Sequence, residues 1–178
     1  MRLDRKTEEY IESHHEEAIE LLKELAVIPS PSGHEERRAE FCRAWLESHG
    51  CGNVYIDEAL NVIYPIGCSD DGPVVVFMAH SDVVFPDTDE LPIREEGDRL
   101  YCPGIGDDTA NSVVLLMAAR YIAENHLVPK DHGVLLVINS GEEGLGNLKG
   151  SRKIVADYGC RIRRFYSFDG YACNAVDK

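Results

Sequence analysis

Four short clusters of metal-ligating residue types punctuate this sequence: His80-Ser81-Asp82, Gly104-Ile105-Gly106-Asp107-Asp108, Ser140-Gly141-Glu142-Glu143 and Asp169-Gly170. Imidazole and carboxylate together are a donor set for divalent ions such as zinc, and also for cobalt or manganese. His80 and Asp82 are two positions apart, so on an extended backbone their side chains face the same way. Asp82 is then placed to hydrogen-bond the ring nitrogen that His80 does not give to a metal, which sets tautomer and orientation. Other acidic pairs, such as Glu8-Glu9 and Glu95-Glu96, read as solvated faces. Glu142-Glu143 differs because Gly141 and Gly144 flank it and let the backbone turn sharply. Asp70-Asp71 before Gly72 reads as a simple turn, whereas Asp107-Asp108 follows two glycines and opens an apolar stretch. A lone strand-end histidine or helix-capping aspartate needs no function to explain it. The joint placement of all four clusters does.

That placement follows from the elements around them. Val74 to Ala79 and Gly133 to Asn139 are uninterrupted apolar runs of the kind found in strands buried on both faces, and Arg164 to Phe168 reads as a third strand. Thr109 to His126 and Leu148 to Tyr158 read as the intervening helices. Strand, helix, strand, helix, strand implies an α/β fold with a mostly parallel sheet covered by helices. In such sheets ligands bind beyond the carboxyl ends of the strands. His80-Ser81-Asp82, Ser140 to Glu143 and Asp169 each follow a strand at that edge, and Asp107-Asp108 lies where the central helix begins, whose dipole tolerates negative charge. Upstream, Lys6 to Ala26 has the spacing of one amphipathic helix. Ser32 followed by Glu35 offers a capping box for a second helix, which Gly50 is placed to stop. Asn53 to Asp57 and Leu60 to Ile66 are short enough and close enough to pair as a hairpin, and Ile93 to Tyr101 suggests another.

Composition bounds the reading. The chain has 178 residues, 44% of them hydrophobic, enough for a real core in one domain. Acidic residues outnumber basic ones 32 to 18 for a net charge of -14, which argues against a nucleic acid or an acidic membrane as partner. The N-terminus is too charged for a secretory signal and no stretch is long and apolar enough to span a bilayer, so a cytoplasmic protein is expected. Six cysteines are scattered without a Cys-x-x-Cys pair, which points to reduced thiols rather than to a disulfide framework or a Cys-rich zinc site.

With these residues in hand, the chain resembles the co-catalytic zinc exopeptidases and aminoacylases, the family of peptidase T, bacterial glutamate carboxypeptidase and succinyl-diaminopimelate desuccinylase. The matching segments are Ile28 to Gly33, His80-Ser81-Asp82, Gly104 to Asp108, Glu142-Glu143-Gly144 and Asp169-Gly170. The resemblance implies a three-layer sandwich and two zinc ions, with His80, Asp107, Glu143 and Asp169 as ligands and Asp107 as the bridge. It implies Glu142 as general base for an activated water, Asp169 as the partner of His80, and a cis peptide bond after Asp107. The implied substrates are di- or tripeptides, or else N-acyl amino acids. Two features depart from the family pattern. Thr109 stands where many relatives have Lys, and the chain stops at Lys178, before the expected lid domain and a last metal-binding histidine. The expectation is therefore the N-terminal portion of a catalytic domain, with one metal site weakened and apolar surface left open to self-association. A metal-binding module without catalysis is the rival reading. A metallophosphoesterase lacks support, because no Asp-x-His or Gly-Asn-His arrangement is present.

Overall fold

The computed structural model describes residues 3–170. Asp4 caps the first helix, α1 (Arg5–Ser13), by accepting a hydrogen bond from the Thr7 amide. A second helix, α2 (His15–Ala26), follows. The single helix predicted over Lys6 to Ala26 is thus broken at His14, whose φ of -109° and ψ of 11° leave the helical region. The physical reason is competition for one acceptor. The Tyr10 carbonyl takes the His14 amide, the Ser13 hydroxyl at 3.0 Å and the His14 ring at 2.8 Å, while that ring stacks on Tyr10.

Helix α3 (Glu36–Ser48) starts after Pro31 to Glu35 and is followed by Gly50 at φ 81°, as its position in the sequence suggests. The capping box does not form. Glu35 occupies the cap position without a side-chain cap bond, and its buried carboxylate accepts from the Gly33 amide at 2.8 Å and pairs with Lys149 at 2.7 Å. Ser32 is recruited elsewhere, as described below.

The central sheet has five strands in the order β1 (Tyr55–Ile56), β2 (Val62–Ile66), β6 (Gly133–Asn139), β3 (Val74–His80), β7 (Ile162–Phe168). β3 runs parallel to both β6 and β7, β2 is antiparallel to β6, and β1 antiparallel to β2, so all strands but β2 point the same way. A separate hairpin pairs β4 (Arg94–Glu96) with β5 (Arg99–Tyr101). The sheet is a mixed but mostly parallel one, and helices cover both faces. On one face α2, α3 and α4 (Ala110–Glu124) bury Leu21, Leu25, Cys42, Leu46, Leu116 and Ala119 against Val62, Tyr64, Leu136 and Ile138. On the other, Ile154 of α5 (Lys149–Tyr158) packs on Ile63, Val76, Met78, Leu135 and Val137. The alternation of side chains along each strand produces this division. The result is three layers.

β7 is the outermost strand, and its far edge has no strand partner among the described residues. Tyr166 stacks on Phe77 at 4.9 Å, but Phe165, Tyr166 and Phe168 all remain exposed. Among the described residues no helix is long and apolar enough to cross a membrane. Cys42, Cys51, Cys68, Cys102 and Cys160 are free thiols, while Cys173 lies outside the described residues.

Candidate metal centre

The register of the parallel strands brings the site together. His80 pairs with Asn139 and Ala79 with Phe168, so the segments leaving β3, β6 and β7 emerge side by side at one edge. His80 is buried on the last position of β3. Its backbone is fixed from both sides, since its amide donates to Asp108 Oδ2 at 3.0 Å and its carbonyl accepts from Ser112 Oγ at 3.0 Å. The ring is fixed as well. Nδ1 lies 3.0 Å from the Asp82 carbonyl, so that this nitrogen donates and Nε2 faces the acids. From Nε2 the nearest carboxylate oxygens are those of Asp107 at 3.2 Å, Asp169 at 3.7 Å and Glu142 at 3.9 Å.

Asp82 thereby does something other than expected. Its carboxylate lies farther from the His80 ring, 3.6 Å at Nδ1, than its backbone carbonyl does. The fully buried carboxylate instead accepts from the amides of Glu142 and Glu143, both at 2.9 Å, and from Ser32 Oγ at 2.7 Å. Ser32 Oγ also lies 3.2 Å from the Glu143 carbonyl. One aspartate thus sets the imidazole through its backbone and the two glutamates through its side chain. The sharp turn that carries those glutamates uses Gly141 at φ 60° and Gly144 at φ 44°, conformations that other residues adopt only with strain.

The two aspartates of the central cluster divide their tasks. The peptide bond between Asp107 and Asp108 is cis. Asp107 presents a half-exposed carboxylate to His80, whereas Asp108 turns inward, buried, and accepts from the His80 amide and from Asn111. Gly104 begins this turn at φ 70°, and a Cβ there would meet Val83 at 2.2 Å. Behind it Arg38, 1% exposed, donates to the carbonyls of Ala26 at 3.1 Å, Ile28 at 2.8 Å and Ser81 at 2.9 Å and to the Thr109 hydroxyl at 3.1 Å. One guanidinium fork so ties the end of α2, the segment after β3 and the start of α4.

Charge at this edge is unbalanced. Burial pushes the Glu142 and Glu143 carboxyls up; the His80 charge opposes this, and the neighbouring acids add to it. Burial likewise pushes Asp108 up to about 7. For His80, burial disfavours the charged ring, but the interaction with Asp82 and the charges of Asp108, Asp82 and Glu142 outweigh it, so the ring is pushed up to about 9. Asp82 moves the other way. Burial opposes its ionisation, yet His80, Ser32 and the two glutamate amides hold it below the usual carboxylate range. A pocket that raises Glu142, Glu143 and Asp108 in this manner is one that a cation would neutralise. Two groupings within 4.8 Å supply donors, His80 with Asp107 and Glu143, and His80 with Glu142 and Asp169. The donor chemistry, one fixed imidazole and several carboxylates, fits a divalent metal.

All six residues singled out in the sequence, His80, Asp82, Asp107, Glu142, Glu143 and Asp169, therefore meet at one place. Sequence reasoning gave Ser32 and Glu35 only a helix-capping role and missed Arg38 and Lys149. Arg38 alone left a signal, because at i, i+4 and i+7 it shares the apolar face of α3 with Cys42 and Trp45.

The fold and the site define an α/β sandwich that gathers histidine and acids, a donor set for a divalent metal, at the carboxyl edge of its sheet. The model of peptidase family M28 matches residues 61–176, well over half of the chain, and the chain belongs to that family. A protein of Pyrococcus abyssi, provisionally assigned as a LysW-lysine/LysW-ornithine hydrolase, is 34% identical over 140 residues, covering 78% of this chain and 36% of the relative. Carboxypeptidase G2 of Pseudomonas sp. strain RS-16 is 31% identical over 88 residues, covering 48% of this chain and 20% of its own length. Among solved structures, human carnosine dipeptidase 1 shares the fold at a TM-score of 0.69 and 17% identity, over 91% of this chain and 40% of that one. The LapA aminopeptidase of Legionella pneumophila does so at 0.65 and 17%, over 96% and 49%. The chain thus spans about a third or less of the length of these two curated relatives.

Proposed function

We propose that this chain carries the amide-cleaving centre of a zinc-dependent exopeptidase acting on di- or tripeptides, with His80, Asp107, Glu143 and Asp169 as metal ligands and Glu142 as general base. The observation that carries this reading is the convergence of one imidazole and four carboxylates from four separate segments into two groupings that share His80, each with its donor atoms within 4.8 Å of one another. Bound there, a pair of metal ions would polarise the amide carbonyl as a Lewis acid and lower the pKa of water. The chain's own residues do the rest. His80 offers Nε2 because Asp82 holds Nδ1. Glu142, raised above the usual carboxylate range by burial, is suited to take a proton from the attacking water and return it to the departing amine. Asp82 and Ser32 keep the glutamate turn in register for that transfer.

The two curated relatives described above are named as a LysW-lysine/LysW-ornithine hydrolase and a carboxypeptidase, which favours an N-acyl amino acid deacylase as the second reading of the same centre. Free thiols among the described residues suit a reducing compartment, and we place the reaction in the cytoplasm. The β7 edge, which has no strand partner among the described residues, supports the reading that copies of this chain self-associate.

The test combines metal content with turnover. The chain should take up zinc and hydrolyse a small peptide or N-acyl amino acid. Glu142→Gln should keep the metal and lower turnover by about 10²- to 10⁴-fold, the usual contribution of a general base. Metal retained with no hydrolysis by either protein would support the non-catalytic module instead.

A further inference from the structure

A cavity of about 280 Å³ opens directly beside Glu143. Its walls are three segments that each continue from the metal centre. Val83 to Pro86 leave Asp82, Gly144 and Leu145 leave Glu143, and Pro31 with Ser32 close the third side. These walls are held in place. Pro31 bridges Val83 in parallel, the Val83 amide donates to the Ser30 carbonyl at 2.9 Å, and Ser32 is locked to Asp82. Val83 is buried, whereas Val84, Phe85 and Leu145 present large apolar surfaces to solvent, Leu145 completely.

From this geometry we propose that the cavity is the subsite for an apolar side chain or short acyl group of the substrate, and that Val84, Phe85 and Leu145 determine this preference. The inference rests on the metal-hydrolase reading above and names the substrate class for it. The volume falls below the roughly 300–1,000 Å³ of sites that enclose whole ligands, a size suited to one substituent. Among the described residues no cationic side chain lines the cavity, so none of them pairs with an acidic substituent, which would also face the acids of the centre. Ser32 is already engaged with Asp82 and the Glu143 carbonyl. Glu143, as a metal ligand, leaves no free carboxylate for a lysine side chain. What remains to recognise a substituent is apolar surface, and its desolvation favours an apolar guest. Exposed apolar residues gathered at the mouth of a catalytic edge are surface that binding would cover.

The experiment uses the full chain, zinc and the hydroxamic acids of leucine, aspartate and lysine, with affinity measured by calorimetry and contact by methyl NMR. The leucine compound should bind more tightly than the other two by about tenfold or more, within the 10- to 200-fold range that apolar pockets deliver. It should also shift the methyl signals of Val84 and Leu145. Val84→Asp and Leu145→Ser alter exposed positions that do not test folding, and each should erase that preference. Zinc uptake with equal binding of the three compounds, or with unmoved Val84 and Leu145 signals, overturns the subsite and leaves the metal reading standing. Failure to take up zinc overturns both.

Discussion

Replacing Asp82 by Asn tests how the site is assembled, because the exchange keeps size and removes charge. The buried carboxylate accepts from the Glu142 amide, the Glu143 amide and the Ser32 hydroxyl. Asparagine offers one acceptor oxygen and one NH2 group, so one glutamate amide must face a donor. Leaving that buried amide unsatisfied costs about 1–3 kcal/mol, and the surviving bond loses about 1 kcal/mol as its acceptor becomes neutral. The expected loss of stability is about 2–4 kcal/mol by urea unfolding. The His80 ring keeps its closest partner, since the Asp82 carbonyl at 3.0 Å belongs to the backbone. Any loss of metal affinity must then come through the displaced glutamate turn. It should amount to about 10- to 100-fold in zinc calorimetry, the usual effect of removing a group that orients ligands. Wild-type stability together with wild-type zinc affinity in Asp82→Asn would refute the assignment of Asp82 as organiser of that turn.

Three further outcomes follow from buried groups other than the proposed ligands. Arg38→Lys should cost about 2–4 kcal/mol in urea unfolding, because an ammonium cannot span the carbonyls of Ala26, Ile28 and Ser81 and the Thr109 hydroxyl, and each buried acceptor left unmatched costs about 1–3 kcal/mol. Burial pushes the Cys42 thiol up to about 12 and the Cys51 thiol up to about 11 from an ordinary 9.0. Both should resist alkylation in the folded chain while exposed Cys160 reacts, as read by peptide mass mapping. The unfolded chain ionises these thiols from about 9 while the folded chain keeps their protons. Stability is therefore full below that pH and falls as pH rises through 11 and 12, which thermal melts at alkaline pH would measure.

Local chemistry is what made much of this molecule legible. Apolar runs at Val74 to Ala79 and Gly133 to Asn139 became β3 and β6 because a strand buried on both faces needs such a run. The residues that follow each run had to emerge at one edge once the strands were parallel, and for that reason His80, Glu142, Glu143 and Asp169 could be grouped without coordinates. Helix boundaries depended on competition that periodicity does not register. The carbonyl of Tyr10 broke α1 from α2, and the supposed capping pair was dissolved because stronger partners lay far off in sequence, Lys149 for Glu35 and Asp82 for Ser32.

Only the tertiary structure decided which strand lies between which, and at what register. Parallel pairing is made between segments dozens of residues apart, and no short-range pattern encodes it. The same holds for the division of labour in each polar cluster. A sequence names Asp82, Asp107 and Asp108 alike as carboxylates. Folding turns Asp107 toward His80, buries Asp108 beneath the His80 amide, and gives Asp82 the two glutamate amides to hold. Residue type fixes which bonds a side chain can make, whereas its burial and neighbours select the ones it does make, and those arise from contacts across the whole chain.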